Sequence, residues 1–258
     1  MKHIVFFSSG KASFVTALLV AKRYGLENLF LVFADTGIED QDNYRFLIES
    51  VDYIGAKFAW LKDSRTPWDI FFEKKFINHR VSDCSIELKI KPCEEWIKEC
   101  EFDPTDTILY FGIGFEEVDR MDAIARNWYP YKVDTPLTWG DGQDNRTINK
   151  MVEATEIKQP RLYDLGFTHA NCGGFCPKAG KKHYKNLLEK LPDVYAYHED
   201  LEQKFRSIPG RENVGILRTT IKGILYPTSL KQFRESLQQN STENLDQEIL
   251  GGCGCFID

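Results

Sequence analysis

The sequence predicts an α/β protein, a parallel sheet with helices on both faces followed by a mostly helical C-terminal region. Three observations predict it. Apolar runs of strand length recur at 4–7, 29–34, 57–61 and 107–112. Stretches with helical apolar spacing separate them, and alternating strand and helix is the pattern of a parallel sheet whose crossovers are helices. The pattern changes after residue 127, which divides the chain into a first unit at 1–127 and a second at 128–258.

The first strand, Ile4-Val5-Phe6-Phe7, runs into Ser8-Ser9-Gly10-Lys11-Ala12-Ser13, and a helix follows through Val15, Ala17, Leu18, Leu19 and Ala21. The continuous apolar run 29–34 reads as a strand buried on both faces and ends in Asp35-Thr36-Gly37. Tyr44, Phe46, Leu47, Val51 and Ile54 stand near helical spacing within 42–54, and 57–61 is the third strand. Pro67 suits the first turn of a helix over 67–77. A helix over 92–100 carries Cys93 and Cys100, read as structural thiols. Strand 107–112 and helix 116–127 complete the first unit. Segment 129–142, rich in Pro, Trp and Gly, reads as a linker or irregular lid. Its aromatic set Trp128, Tyr129, Tyr131 and Trp139 suits packing on the core better than base stacking. Helices are expected at 144–157, 178–191, 193–207 and 230–239, with a hairpin at 216–225 around Lys222-Gly223. The tail is polar until Gly251-Gly252-Cys253-Gly254-Cys255.

Composition excludes several classes. With 42% hydrophobic and 28% charged residues among 258, the chain reads as an ordinary soluble globular protein. No stretch approaches the ~20 apolar residues of a membrane span. Run 4–7 is too short for a secretory signal, so a cytoplasmic protein is expected, with no membrane partner. Seven cysteines, an odd number, then predict thiols or metal ligands rather than a disulfide framework. A net charge of −6 argues against nucleic-acid binding by the whole surface. One local basic segment stands out, with Lys178, Lys181, Lys182 and Lys185 inside 178–185. It reads either as a solvated helix face or as contact to a nucleic-acid or sulfur-acceptor substrate. His198-Glu199 lacks the second histidine of a zinc-protease helix.

The loop 8–13 carries the first chemical signal. Between a strand and a helix N-terminus, backbone N–H groups converge unpaired and the helix dipole adds positive charge, which suits a phosphate. Ser8, Ser9 and Ser13 add hydroxyls, Gly10 admits close approach, and Lys11 adds a full charge. The loop lacks the second glycine of the Walker motif. Ligands of parallel sheets sit at the carboxyl ends of the strands, where loop 8–13, Asp35-Thr36-Gly37 and 112–114 with Gly112 all fall. Asp35 at such an end suits Mg2+ or a ribose hydroxyl, or simply a helix cap. Cys172 and Cys176 flank Gly173-Gly174, so both sulfurs can turn to one point. With Cys84 and a tail thiol, Cys255 or Cys253, they suit an iron–sulfur cluster or zinc. Redox-active or inert thiols are the alternatives.

Four segments in order resemble one family. Loop 8–13 resembles the Ser-Gly-Gly-x-Asp-Ser pyrophosphatase loop (PP-loop) of the adenine-nucleotide alpha-hydrolase superfamily, with Ser9 and Ala12 in place of Gly and Asp. Phe33-Ala34-Asp35-Thr36-Gly37 is similar to the segment after the second strand of the phosphoadenosine phosphosulfate (PAPS) reductase family. Cys84-Ser85-Ile86-Glu87-Leu88-Lys89-Ile90-Lys91-Pro92 resembles its Cys-Thr-x-x-Leu-Lys-x-x-Pro segment. Residues 112–120 resemble its Gly-x-Arg-x-x-Glu-Ser-x-Arg, matching at Gly112, Glu117 and Arg120 and departing at Gly114 and Val118. The resemblance implies a Rossmann-like sheet of the HUP type, an adenine nucleotide (ATP or a sulfonucleotide) and Mg2+. It places Ser8, Ser9, Gly10, Lys11, Ser13, Asp35, Thr36, Gly112, Glu117 and Arg120 at the nucleotide. It gives Lys89, at the anionic end of the substrate, and the thiols Cys253 and Cys255 catalytic roles. Cys84, Cys172, Cys176 and Cys255 are the candidate ligands of a [4Fe-4S] cluster or zinc. Three functions stay open: ATP pyrophosphatase or adenylating chemistry linked to sulfur transfer, sulfonucleotide reduction, and a non-catalytic nucleotide- or metal-binding partner protein. The acceptor and the oligomeric state are left open.

Overall fold

The computed structural model describes residues 1–77 and 83–239. Five strands, β1 (Lys2–Phe6), β2 (Leu29–Asp35), β3 (Lys57–Lys62), β4 (Thr107–Tyr110) and β5 (Lys132–Asp134), form one sheet in the order β3-β2-β1-β4-β5. Every pairing is parallel, with Ile4 of β1 opposite Phe30 of β2 on one side and Leu109 of β4 on the other. The first unit also holds α1 (Lys11–Tyr24), α2 (Gln41–Ile54), α3 (Pro67–Lys74), α4 (Asp83–Ser85), α5 (Lys91–Glu99) and α6 (Met121–Asn127). Then come α7 (Asn145–Glu153), α8 (Arg161–Asp164), α9 (Lys181–Lys190), α10 (Pro192–Arg206), a hairpin of β6 (Leu217–Ile221) and β7 (Ile224–Thr228), and α11 (Leu230–Gln238). No described helix is long and apolar enough to cross a membrane.

The two-residue period of the strands divides the core between two faces. Val5, Phe7, Leu31 and Phe33 pack under α1, α2 and α7, against Phe14, Phe46, Ile148 and Val152. Ile4, Phe6, Val32 and Leu109 face the other way, against Cys93 and Ile97 of α5, Ile124 of α6 and Trp128 just after it. A separate cluster gathers Phe175 and, from the C-terminal helices, Tyr184, Tyr195, Phe205 and Phe233 around Trp68 and Phe71 of α3. Within it, His198 accepts the Trp68 indole N–H at 2.9 Å and stacks on Phe175 at 3.8 Å. Glu202 is fully buried and accepts the N–H groups of Ile216 at 2.8 Å and Leu230 at 2.6 Å.

The structure corrects several expectations. Segment 129–142 is not merely a linker or lid: Lys132–Asp134 is the fifth strand, so the sheet continues past residue 127. Three residues, two of them charged, leave no apolar run to read. The helix expected over 67–77 stops at Lys74, where Lys75 turns left-handed at φ 52°. The helix expected at 92–100 follows directly on a turn of π-helix at Ile86–Ile90, in which Lys91 N donates to Ile86 O. Pro92 has no N–H for the Leu88 carbonyl, and a π turn absorbs that loss. Residues 115–120 form a 3₁₀ turn before α6, and the helices expected at 144–157 and 178–191 shorten to α7 and α9. The hairpin forms as expected, with Lys222 and Gly223 both at positive φ, the backbone of a tight two-residue turn. Cys93 is fully buried, but Cys100 is exposed and has no packing role. Trp128 packs on Phe6 and Phe111 in the core, whereas Tyr129 is 82% exposed.

Candidate functional site

The strand order reverses between β1 and β4, so the loops leaving these strands part and a crevice opens at their carboxyl ends. Loop 8–13 forms one side. Ser9 takes a left-handed φ of 56°, uncommon for a residue with a Cβ, and its hydroxyl is buried with no partner among the described residues. Ser13 holds the turn, its Oγ accepting the Ser8 N–H at 3.1 Å and donating to the Gly10 carbonyl at 2.9 Å. Gly10 is the N-cap of α1 and supplies no capping side chain, and the first N–H of the helix, that of Lys11, meets the Tyr163 hydroxyl at 3.4 Å from across the crevice. The β4 loop presses on the same turn. A Cβ on Gly112 would lie 2.9 Å from Ser13 N and 3.0 Å from the Ala12 carbonyl carbon, so only glycine fits.

The crevice is the mouth of a cavity of about 1800 Å³. Ordinary small-molecule sites are ~300–1,000 Å³, so this one has room for a nucleotide and a second reactant. Ser8, Gly10, Lys11, Ser13 and Gly112 line it, as do Glu117 and Arg120, which form an ion pair. The opposite wall comes from the second half of the chain and includes Asn149, Gln159, Tyr163, His169, Lys182 and Lys185. Lys11 Nζ reaches across to Asn149 Oδ1 at 2.7 Å and Gln159 Oε1 at 3.1 Å. Burial lowers the Lys11 pKa, against the opposing pull of Asp164 and Glu153. Burial, with the charges of His183 and Lys89, pushes His169 down to about 3, so its imidazole is neutral at physiological pH. The His169 Nδ1 is buried and has no partner among the described residues.

Other expected residues lie elsewhere. Ser9, Asp35 and Thr36 do not line the cavity. Asp35 is fully buried and its oxygens are taken by Gly37 N at 2.8 Å, Tyr44 Oη at 2.7 Å, Trp60 Nε1 at 3.2 Å and Lys62 Nζ at 3.2 Å. Burial raises its pKa, but these donors outweigh burial and hold it below the usual carboxylate value. Both of its oxygens are thus engaged by donors of its own sheet edge. Thr36 donates to Glu39 at 3.1 Å. Lys89 sits in the π turn, 4% exposed and off the cavity wall, although its charge acts on His169. Of the four lysines at 178–185, Lys182 and Lys185 line the cavity and Lys178 and Lys181 do not. The helix begins at Lys181, so Lys178 precedes it.

The Cys172 turn is as tight as its glycines suggested, with φ of 54° at Cys172, 60° at Gly173 and 86° at Gly174. It docks on the loop after β2, where Glu39 accepts the Cys172 N–H at 2.6 Å. A side chain on Gly173 would collide with the Ile38 carbonyl oxygen. Cys84 packs against the apolar cluster that contains Phe175. Among the described residues, no group of three or more His, Cys, Asp or Glu is gathered to hold a metal ion. Cys84, Cys172 and Cys176 thus do not form a three-thiolate centre by themselves. Cys253 and Cys255 lie outside the described residues.

Sequence reasoning missed Tyr163, Asn149, Gln159 and His169. They stand in or beside short helices within an irregular stretch, and nothing local announces that this stretch folds back over loop 8–13.

Parallel sheet, crossover helices and switch-point crevice together define a Rossmann-like α/β protein. Residues 2–107 match the phosphoadenosine phosphosulfate reductase domain. No curated protein matches the chain. Among solved structures it is similar to PAPS reductase from Candida auris in a phosphate complex, at 12% identity and a TM-score of 0.47, over 65% of this chain and 80% of that one. It is also similar to the U34-tRNA thiolase of Methanococcus maripaludis with its [4Fe-4S] cluster, at 18% identity and a TM-score of 0.49, over 81% and 73%. NH3-dependent NAD synthetase from Campylobacter jejuni is similar at 12% identity and a TM-score of 0.41, over 80% and 82%.

Proposed function

We propose that the protein binds ATP at loop 8–13 and transfers its adenylyl group to an acceptor with release of pyrophosphate, in a reaction linked to sulfur transfer in which AMP leaves when sulfur displaces it. One observation carries this reading: the N-terminus of α1, which Gly10 leaves without a cap of its own and against which Gly112 presses, lies at a cavity with room for two reactants. The α1 N–H groups and Ser8 would bind phosphate oxygens, and Arg120 would offset the charge that builds on pyrophosphate as it leaves. Mg2+ usually needs only one or two protein carboxylates beside substrate phosphates, and Glu117 and Glu153 of the cavity wall fit that need. When bound, it would neutralise phosphate charge. Lys182 and Lys185 would face an acidic acceptor such as a nucleic acid. Cys253 and Cys255 are the thiols proposed to handle sulfur.

Pyrophosphate release from ATP, followed with a coupled phosphate assay, tests the reading. Release above background is expected, and Cys253→Ser and Cys255→Ser should leave the adenylating half-reaction intact. The family match favours one second reading, sulfonucleotide reduction. In that case PAPS would bind and react with a thiol, while ATP would release no pyrophosphate.

A further inference from the structure

Tyr163, on the short helix α8, closes over the start of α1. Its hydroxyl accepts the backbone N–H of Lys11 at 3.4 Å. A Cβ on Gly10 would meet the same hydroxyl at 3.2 Å, so Oη stands over the turn from which the first N–H groups of the helix emerge. Gly10 itself provides no cap, and the tyrosine hydroxyl fills that place. The Lys11 ammonium lies 4.1 Å from the Tyr163 ring centroid and is held by Asn149 and Gln159. Both groups with which Lys11 could meet a phosphate are therefore engaged by the 149–163 segment. That segment is strapped to α2. Arg161 grips Asp40 through Nε at 2.9 Å and Nη2 at 2.7 Å, the Arg161 N–H donates to Asp42 at 2.7 Å, and Arg45 donates to the Lys158 carbonyl at 2.9 Å.

We propose that Tyr163 is a displaceable cap on the phosphate loop. In this structure its hydroxyl holds the Lys11 N–H, and the phosphate of an incoming nucleotide takes that N–H and turns the tyrosine away. This inference rests on the nucleotide reading and adds a selectivity device to it. A neutral hydrogen bond at 3.4 Å is long and weak, whereas a phosphate oxygen at a helix N-terminus makes a charge-assisted one. The exchange therefore favours phosphate. A ligand with no phosphate has nothing to offer the N–H and leaves the cap closed.

Calorimetric titration of the wild type, Tyr163→Phe and Arg161→Gln with ATP, inorganic pyrophosphate and adenosine tests the proposal, with thermal unfolding to confirm folding. The phenylalanine keeps the ring and removes the competing oxygen. It should bind ATP and pyrophosphate about threefold to tenfold more tightly than wild type, the size of one neutral hydrogen bond, with adenosine unchanged. Arg161→Gln loosens the strap without touching the loop and should act in the same direction. Unchanged affinity for ATP and pyrophosphate in Tyr163→Phe overturns the proposal. So does weaker affinity, which would make the hydroxyl a phosphate ligand instead. Either result leaves ATP binding itself standing. If no protein binds any of the three probes, the nucleotide reading fails and the cap falls with it.

Discussion

Gly112 shows how one missing side chain shapes the site. The loop after β4 reaches the phosphate loop only because there is no Cβ between Gly112 and the backbone of Ala12 and Ser13. In Gly112→Ala, a methyl group 2.9 Å from Ser13 N must push the two loops apart. Overpacking of this kind costs about 1–3 kcal/mol. The expected outcome is a folded protein with a lowered unfolding midpoint in urea and at least about tenfold weaker ATP binding, since ~1.4 kcal/mol of lost fit is tenfold in affinity. Full ATP affinity in this variant would show that the loop 8–13 contact is not part of the site. Single residues also set the limits of sequence reading. Asp35 was visible as a carboxylate at a strand end, but its role depends on Tyr44, Trp60 and Lys62. Those partners come from α2 and β3, and no local pattern pairs them with it.

At the scale of elements, the strands 4–7, 29–34 and 107–112 were legible because strands buried on both faces are continuous apolar runs, and 57–61 was legible from its core of Phe58-Ala59-Trp60-Leu61 although it is a half-exposed edge strand. The short strand Lys132–Asp134 was not, because an edge strand of this length is defined by its partner β4 and not by its own residues. The near wall of the cavity was legible for the same reason as the strands that carry it. The far wall was not, because α7 and α8 are placed by contacts more than a hundred residues away, such as Arg161 with Asp40. The Cys172 turn is a similar long-range joint, and its docking gives a prediction. Gly173 has a positive φ and sits against the Ile38 carbonyl, so Gly173→Ala adds both backbone strain and a clash. Such positions cost about 2–4 kcal/mol when filled. Urea denaturation should show a loss of that order. A loss under about 0.5 kcal/mol, the range of ordinary surface substitutions, would mean that the turn is not docked on the β2 loop.

For the whole molecule, Glu202 ties the C-terminal helices to the hairpin and makes stability depend on pH. Burial raises its pKa from 4.5 to about 7, only partly offset by the N–H groups of Ile216 and Leu230. The folded protein therefore holds this proton more tightly than the unfolded chain. Its contribution is fully present below about pH 4.5 and is lost as pH rises through 7. The shift corresponds to a contribution on the order of 3 kcal/mol. Wild type should lose stability relative to Glu202→Gln between pH 5 and pH 8, measured by urea denaturation at each pH. A difference that does not change with pH would contradict the assignment. His198 and His169, both pushed down to about 3, act with the opposite sign, since acid must charge them on unfolding. The comparison with a Glu202 variant isolates one group from that background.

The same whole-molecule view makes the cavity a joint product of both halves of the chain, with loop 8–13 and Gly112 from one and Tyr163, His169 and Lys185 from the other. The central claim is that this cavity takes ATP by its phosphates. Calorimetric titration of the full-length protein with ATP in the presence of Mg2+ tests it most directly, with adenosine as the control ligand. One site per chain, with ATP bound at least tenfold more tightly than adenosine, is the predicted result. No heat of binding for ATP, or equal affinity for the two ligands, would contradict it.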